Sequence, residues 1–136
     1  VHQSVNQFRS VKSQLSKRLA LLKTMEDQIE LVELAKSALK AIGDWESKLI
    51  QPKQKTFQDV INFRNKLNAE LMYLAGEIDA NDPKPTIACV NRLDELSQKW
   101  QAASDELQDV VSGPVAAFNE AYQKSGLPVL IIPKKN

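Results

Sequence analysis

The sequence holds one cysteine, Cys89, and one histidine, His2. A lone cysteine excludes an internal disulfide framework and a multi-cysteine zinc site. Between Ala88 and Val90, it reads as a small core residue. A single histidine at the second position leaves no Ser-His pair and no multi-histidine metal site. The Glu-x-x-His pairs that a diiron bundle projects inward are missing as well. Glycine is scarce, four residues standing apart, so no glycine-rich phosphate loop precedes a helix. These shortages predict no catalytic residues, no metal ligands and no cofactor.

Charge of one sign is also in short supply. Eighteen basic residues face seventeen acidic ones for a net charge of +1, too little to attract nucleic acid or an anionic membrane. The basic track Lys12, Lys17, Arg18 and Lys23 lacks interleaved aromatics and gives way to acidic residues, so it reads as a solvated helix face. No apolar run approaches the roughly 20 residues of a membrane-spanning helix, and Val1-His2-Gln3-Ser4 lacks a signal peptide's apolar stretch. Neither nucleic acid nor membrane insertion is expected. With no initiator Met, the segment reads as a mature product or a piece of a longer protein.

What is present is helical. The chain has 136 residues, 43% hydrophobic and 26% charged, enough to bury a core as one domain spanning 1–136. Val1, Val5, Phe8, Val11, Leu15, Leu19 and Leu22 recur at spacings of three and four, which predicts a first helix over 2–22. Thr24 with Asp27 suggests a loose capping box for a second helix, with Met25, Ile29, Val32, Ala35, Leu39, Ile42, Trp45 or Glu46, and Leu49 on its apolar face. Gln51-Pro52 stops it. Thr56 then caps a third helix over 57–79 with Phe57, Val60, Phe63 or Arg64, Leu67, Leu71, Leu74 and Ile78 on one face.

Asn81-Asp82-Pro83-Lys84-Pro85 is a connector, and Thr86 caps a fourth helix with Ile87, Val90, Leu93, Leu96 or Ser97, Trp100, Ala103, Leu107 and Val110 on one face. Ser112-Gly113-Pro114 predicts a kink or break there, with Ser112 near a cap and 115–124 as a separate short helix. Ser125-Gly126 ends it, and the proline-bracketed apolar run 127–133 predicts an extended tail laid on a hydrophobic surface. Similar lengths and short connectors predict an up-down antiparallel four-helix bundle.

Asn62, Asn65 and Asn68 recur every three residues, although asparagine is a poor interior helix former. Such a row either binds a partner or glycan, with Tyr73 nearby, or hydrogen-bonds neighbouring helices or the tail. Gly76, inside a helix, asks for close approach by another backbone. Trp45 and Trp100 lie on or beside apolar stripes and read as core anchors rather than sugar platforms.

The stretch Gln58-Asp59-Val60-Ile61-Asn62-Phe63-Arg64-Asn65-Lys66-Leu67-Asn68, with Leu71, Tyr73-Leu74-Ala75-Gly76, Pro85-Thr86 and the ending Phe118-Asn119 to Gly126-Leu127-Pro128, resembles the helical C-terminal region of bacterial sortilin-like BNR (Asp-box) repeat proteins, often labelled glycosyl hydrolases. At Arg64 the sequence departs from the family's pattern, which often has proline after the Asn-Phe pair. The resemblance implies a parent carrying a β-propeller, absent from this segment, and export to the periplasm or cell exterior. It implies a non-catalytic structural or interaction module that packs against that upstream propeller or another protein. A carbohydrate-binding accessory domain is the alternative. The oligomeric state is not legible in the sequence.

Overall fold

The computed structural model describes residues 1–51, 53, 65–80 and 84–126. The expectations for Pro52, Thr56, Asn62, the start of the third helix, residues 81–83 and the 127–133 tail lie outside them. Among the described residues all regular structure is helical: α1 is His2–Leu22, α2 Ile29–Leu49, α3 Leu67–Ala80 and α4 Ile87–Val110. The last continues through a π-helical segment, Val111–Val115, into α5, Ala116–Lys124. This makes four helical stretches.

The backbone groups into two compact units. One is Trp45–Glu106, which holds α3, the end of α2 and most of α4. The other joins His2–Asp44 to the chain from Leu107 onward, and so holds α1, most of α2 and α5.

In the α1/α5 unit, Val5, Phe8, Val11, Leu15 and Leu22 of α1 are buried, as the spacing predicts. Leu31, Ala35, Ala38 and Ile42 of α2 are buried, as are Val115, Phe118 and Tyr122 of the same unit. Each fully buried large side chain contributes about 1.5–3 kcal/mol. The Phe118 and Tyr122 rings stack with centroids 5.3 Å apart. Arg18 of the basic track is not simply solvated, since its guanidinium lies 5.6 Å from the centre of the Tyr122 ring, a cation–π arrangement.

In the α3 unit, Trp45 is buried and its indole N–H donates to the Ala103 carbonyl at 2.8 Å, which fulfils the anchoring role expected of it. Trp100 is only half-buried. Leu49 at the end of α2, Leu67 and Leu74 of α3, and Cys89, Leu96 and Ala103 of α4 complete the buried set of this unit among the described residues.

Several ends differ from expectation, each for a local reason. Thr24 does not start α2: its hydroxyl donates back to the Leu21 carbonyl at 2.7 Å, closing α1, and α2 begins at Ile29. Met25 and Ile29 are accordingly exposed. The helix expected over 57–79 is not continuous, because Asn65 and Lys66 are non-helical and α3 starts at Leu67. Asparagine side chains compete for backbone hydrogen bonds, which favours an interruption at such a place.

Thr86 does cap α4, its hydroxyl accepting from the Cys89 N–H at 3.3 Å. Gly126 ends α5 at φ 77, the left-handed conformation that glycine adopts without steric cost. Gly76 meets no atom within 4 Å of where a Cβ would stand, so no backbone among the described residues approaches it closely.

Pro114 does not break the helical backbone. Val110, Val115 and Ala116 all keep right-handed helical dihedrals, and the Ala116 N–H reaches the Val111 carbonyl five residues back. That wider turn accommodates a ring that cannot donate and would clash with the carbonyl four residues before it. Ser112 is no cap, since its hydroxyl donates to the Gln108 carbonyl at 2.8 Å. The buried positions Cys89, Leu96, Ala103, Leu107 and Val110 resume after a five-residue step at Val115, Phe118 and Tyr122.

Candidate functional site

The expected apolar face of α4 divides. Leu96, Ala103, Leu107 and Val110 are buried, but Ile87 is 81% exposed, and Val90 and Leu93 are exposed with it. Cys89 takes the inward position instead, one helical turn from positions 86 and 93 and two from 96. On α3, Met72 and Tyr73 are exposed at 63% and 68%. The α3 unit thus shows solvent five large apolar side chains on two helices.

Two clefts open in the same unit. One, of about 530 Å³, is lined by Leu49, Leu67, Ala102 and Ala103 and by charged residues. Those charges largely pair with one another: Lys48 hydrogen-bonds to Glu106, and Lys99 lies 3.6 Å from Glu70.

The second cleft, of about 350 Å³, is more selective in its lining. Glu70, Tyr73, Leu74 and Glu77 of α3 recur at helical spacing and line one wall. Thr86, Ala88, Cys89 and Arg92, from the start of α4, line the other, and Asn65 joins them. The Tyr73 hydroxyl donates to Glu77 Oε1 at 2.8 Å. That hydrogen bond, and then the charge of the same carboxylate, raises the Tyr73 pKa above the ordinary tyrosine value. Arg92 lies 2.6 Å from Glu95 and 3.5 Å from Glu70. Thr86 also donates to the Cys89 sulfur at 3.3 Å.

Of the residues singled out in the sequence, Asn65 and Tyr73 come together in this cleft. Asn68 does not line it; its side-chain amide points to Met72 Sδ at 3.7 Å. Asn62 lies outside the described residues. Asparagines 65 and 68 therefore do not form a row along one helix face, because Asn65 precedes the helix. Sequence reasoning missed Glu70, Glu77 and Arg92, whose only signal was a run of charge indistinguishable from a solvated surface.

Comparison with protein-family models, curated proteins and solved structures finds no significant match to this chain. Among the described residues no three His, Cys, Asp or Glu side chains converge to hold a metal ion. No described helix is long and apolar enough to cross a membrane.

In the α1/α5 unit, Tyr122 Oη and Asn119 Oδ1 are buried with no hydrogen-bond partner among the described residues. A cleft of about 330 Å³ beside α1, lined by Gln14, Lys17, Arg18 and Leu21, presents basic groups and no aromatic ring in its lining. The second cleft of the α3 unit is the one that offers donors, acceptors, an aromatic ring and an apolar floor together.

Proposed function

We propose that this chain is a non-catalytic docking module of a larger exported protein, an up-down antiparallel helical bundle that packs against an upstream β-propeller. The observation that carries the reading is the exposure of Ile87, Val90 and Leu93, an apolar face at helical spacing that the described residues leave uncovered. The six-residue connection 23–28 between α1 and α2 suits antiparallel neighbours. The sequence resemblance to the helical C-terminal region of sortilin-like BNR proteins supports the choice of a propeller as the partner. Any hydrolytic activity then belongs to the parent, since a fold alone does not confer one.

The test is association of the purified chain with the separately produced N-terminal remainder of its parent, followed by sedimentation velocity. The native chain should co-sediment, and a chain carrying Ile87→Glu with Leu93→Glu should not. Both chains should keep the same helical circular dichroism, because the altered positions are exposed. A native chain that sediments alone would sink the reading.

A further inference from the structure

We propose that the corner between α1 and α2 is a self-association surface, occupied by a second copy of this chain through a twofold contact. Leu21, near the end of α1, is 44% exposed, Met25 in the turn 39%, and Ile29, at the start of α2, 75%. The corner is tight: the Thr24 N–H donates to the Leu21 carbonyl at 3.0 Å and the Met25 N–H to the Leu22 carbonyl at 3.1 Å. Met25 is thereby held within about one helical turn of Leu21, and only residues 26–28 separate it from α2. Among the described residues, the α1/α5 unit exposes no other large apolar side chain.

The charges around this patch point to the occupant. On α1, which carries no acidic residue, Lys17 and Arg18 stand one turn before Leu21 and line one cleft with it. Past Leu21, Glu26 and Asp27 stand exposed between Met25 and Ile29, and Glu30 follows in the first turn of α2. Lys17, Glu26 and Asp27 enter no ion pair among the described residues. The patch is thus basic toward α1, apolar at its centre and acidic toward α2. Such an order is complementary to itself after a half-turn: Lys17 and Arg18 of each copy face Glu26 and Asp27 of the other, and the apolar side chains meet at the axis. A partner of one charge sign would satisfy half of the patch and be repelled by the rest. A contact of this isologous kind closes at two copies.

This surface shares no residue with the docking face on α4, so either can fail without the other. A patch of this size suits a weak dimer, populated between about 10 µM and 1 mM. Its test is sedimentation equilibrium of the full chain across that range, where the native chain should follow a monomer–dimer equilibrium. Lys17→Glu with Arg18→Glu, and separately Glu26→Lys with Asp27→Lys, should each weaken the dimer by roughly tenfold or more. An equimolar mixture of the two variants should regain the native dimer mass, since each supplies the charge the other lacks. Ile29→Ser leaves the charges alone, alters a 75% exposed position, and should weaken the dimer by roughly fivefold with helical circular dichroism unchanged. A native chain that stays monomeric to about 1 mM would overturn the proposal. So would growth beyond the dimer, a mixture no more dimeric than either variant alone, or undiminished association of Ile29→Ser.

Discussion

The α1/α5 unit and the α3 unit draw on the same residue types and arrange them differently. In the first, Val11, Leu15, Leu22, Ala35, Ala38, Val115, Phe118 and Tyr122 are all fully inaccessible. In the second, α3 buries only Leu67 and Leu74 along its 14 residues and shows Met72 and Tyr73 to solvent. Three aromatic rings, Phe8, Phe118 and Tyr122, lie inside the first unit, and Trp45 is the buried ring of the second among the described residues. The difference is one of degree among the described residues: the first unit also shows Leu21, Met25 and Ile29 to solvent, but it buries more rings, while the second exposes side chains along most of α3 and the start of α4.

The strongest way to break that contrast is by truncation. Phe118→Ala should cost about 3–5 kcal/mol, the loss of a wholly buried ring plus the cavity it leaves. Met72→Ala should change stability by less than about 0.5 kcal/mol, as for exposed positions in general. Urea unfolding followed by circular dichroism measures both, and equal losses would mean that α3 is as closed as α5.

Glycine substitutions sharpen the contrast at smaller scale. Gly43 and Gly76 both lie inside helices, and a Cβ at Gly43 would meet only Lys12 Nζ at 3.8 Å. Nothing described lies within 4 Å at Gly76. Each should therefore gain about 0.5–1 kcal/mol as alanine. A loss at Gly76 in the same unfolding experiment would reveal a close neighbour and restore the reason the sequence suggested for it.

The smallest effect concerns the cleft. Because Glu77 raises the Tyr73 pKa, Glu77→Gln should bring it back toward the ordinary tyrosine value, read as phenolate absorbance on alkaline titration. The sign for stability follows from the raised pKa. Whatever the hydrogen bond contributes is fully present below the tyrosine range and is lost as pH rises through the folded-state value. An unchanged titration would show that the Tyr73–Glu77 contact does not persist in solution.

Much of this architecture is legible in the sequence where one local interaction decides the outcome. The bounds of α1, the Thr86 cap and the Gly126 terminus are of this kind. Where two local options compete, legibility ends. A threonine hydroxyl can serve the helix before it or the helix after it, and Thr24 serves the one before. On α4, residues 86–96 hold two overlapping apolar stripes, and only packing selects Cys89 and Leu96 over Val90 and Leu93. The site was half legible for the same reason: Asn65 and Tyr73 stand out by composition, whereas Glu70, Glu77 and Arg92 acquire meaning only once α3 and α4 set them around one cleft.

The five-residue step at Val111–Val115 bears on how this chain tolerates changes in length. Counting in sevens from Cys89 reaches Leu96, Ala103 and Val110, and the next inward positions would be 114, 117 and 121. The buried residues are instead Val115, Phe118 and Tyr122, each later by one. An extra residue in a plain α-helix turns everything beyond it by about 100°. Here the wider turn absorbs the surplus, so Phe118 and Tyr122 still face inward. The segment holds one residue more than the stripe of α4 needs, and it places that residue where the buried side chains on either side keep their facing.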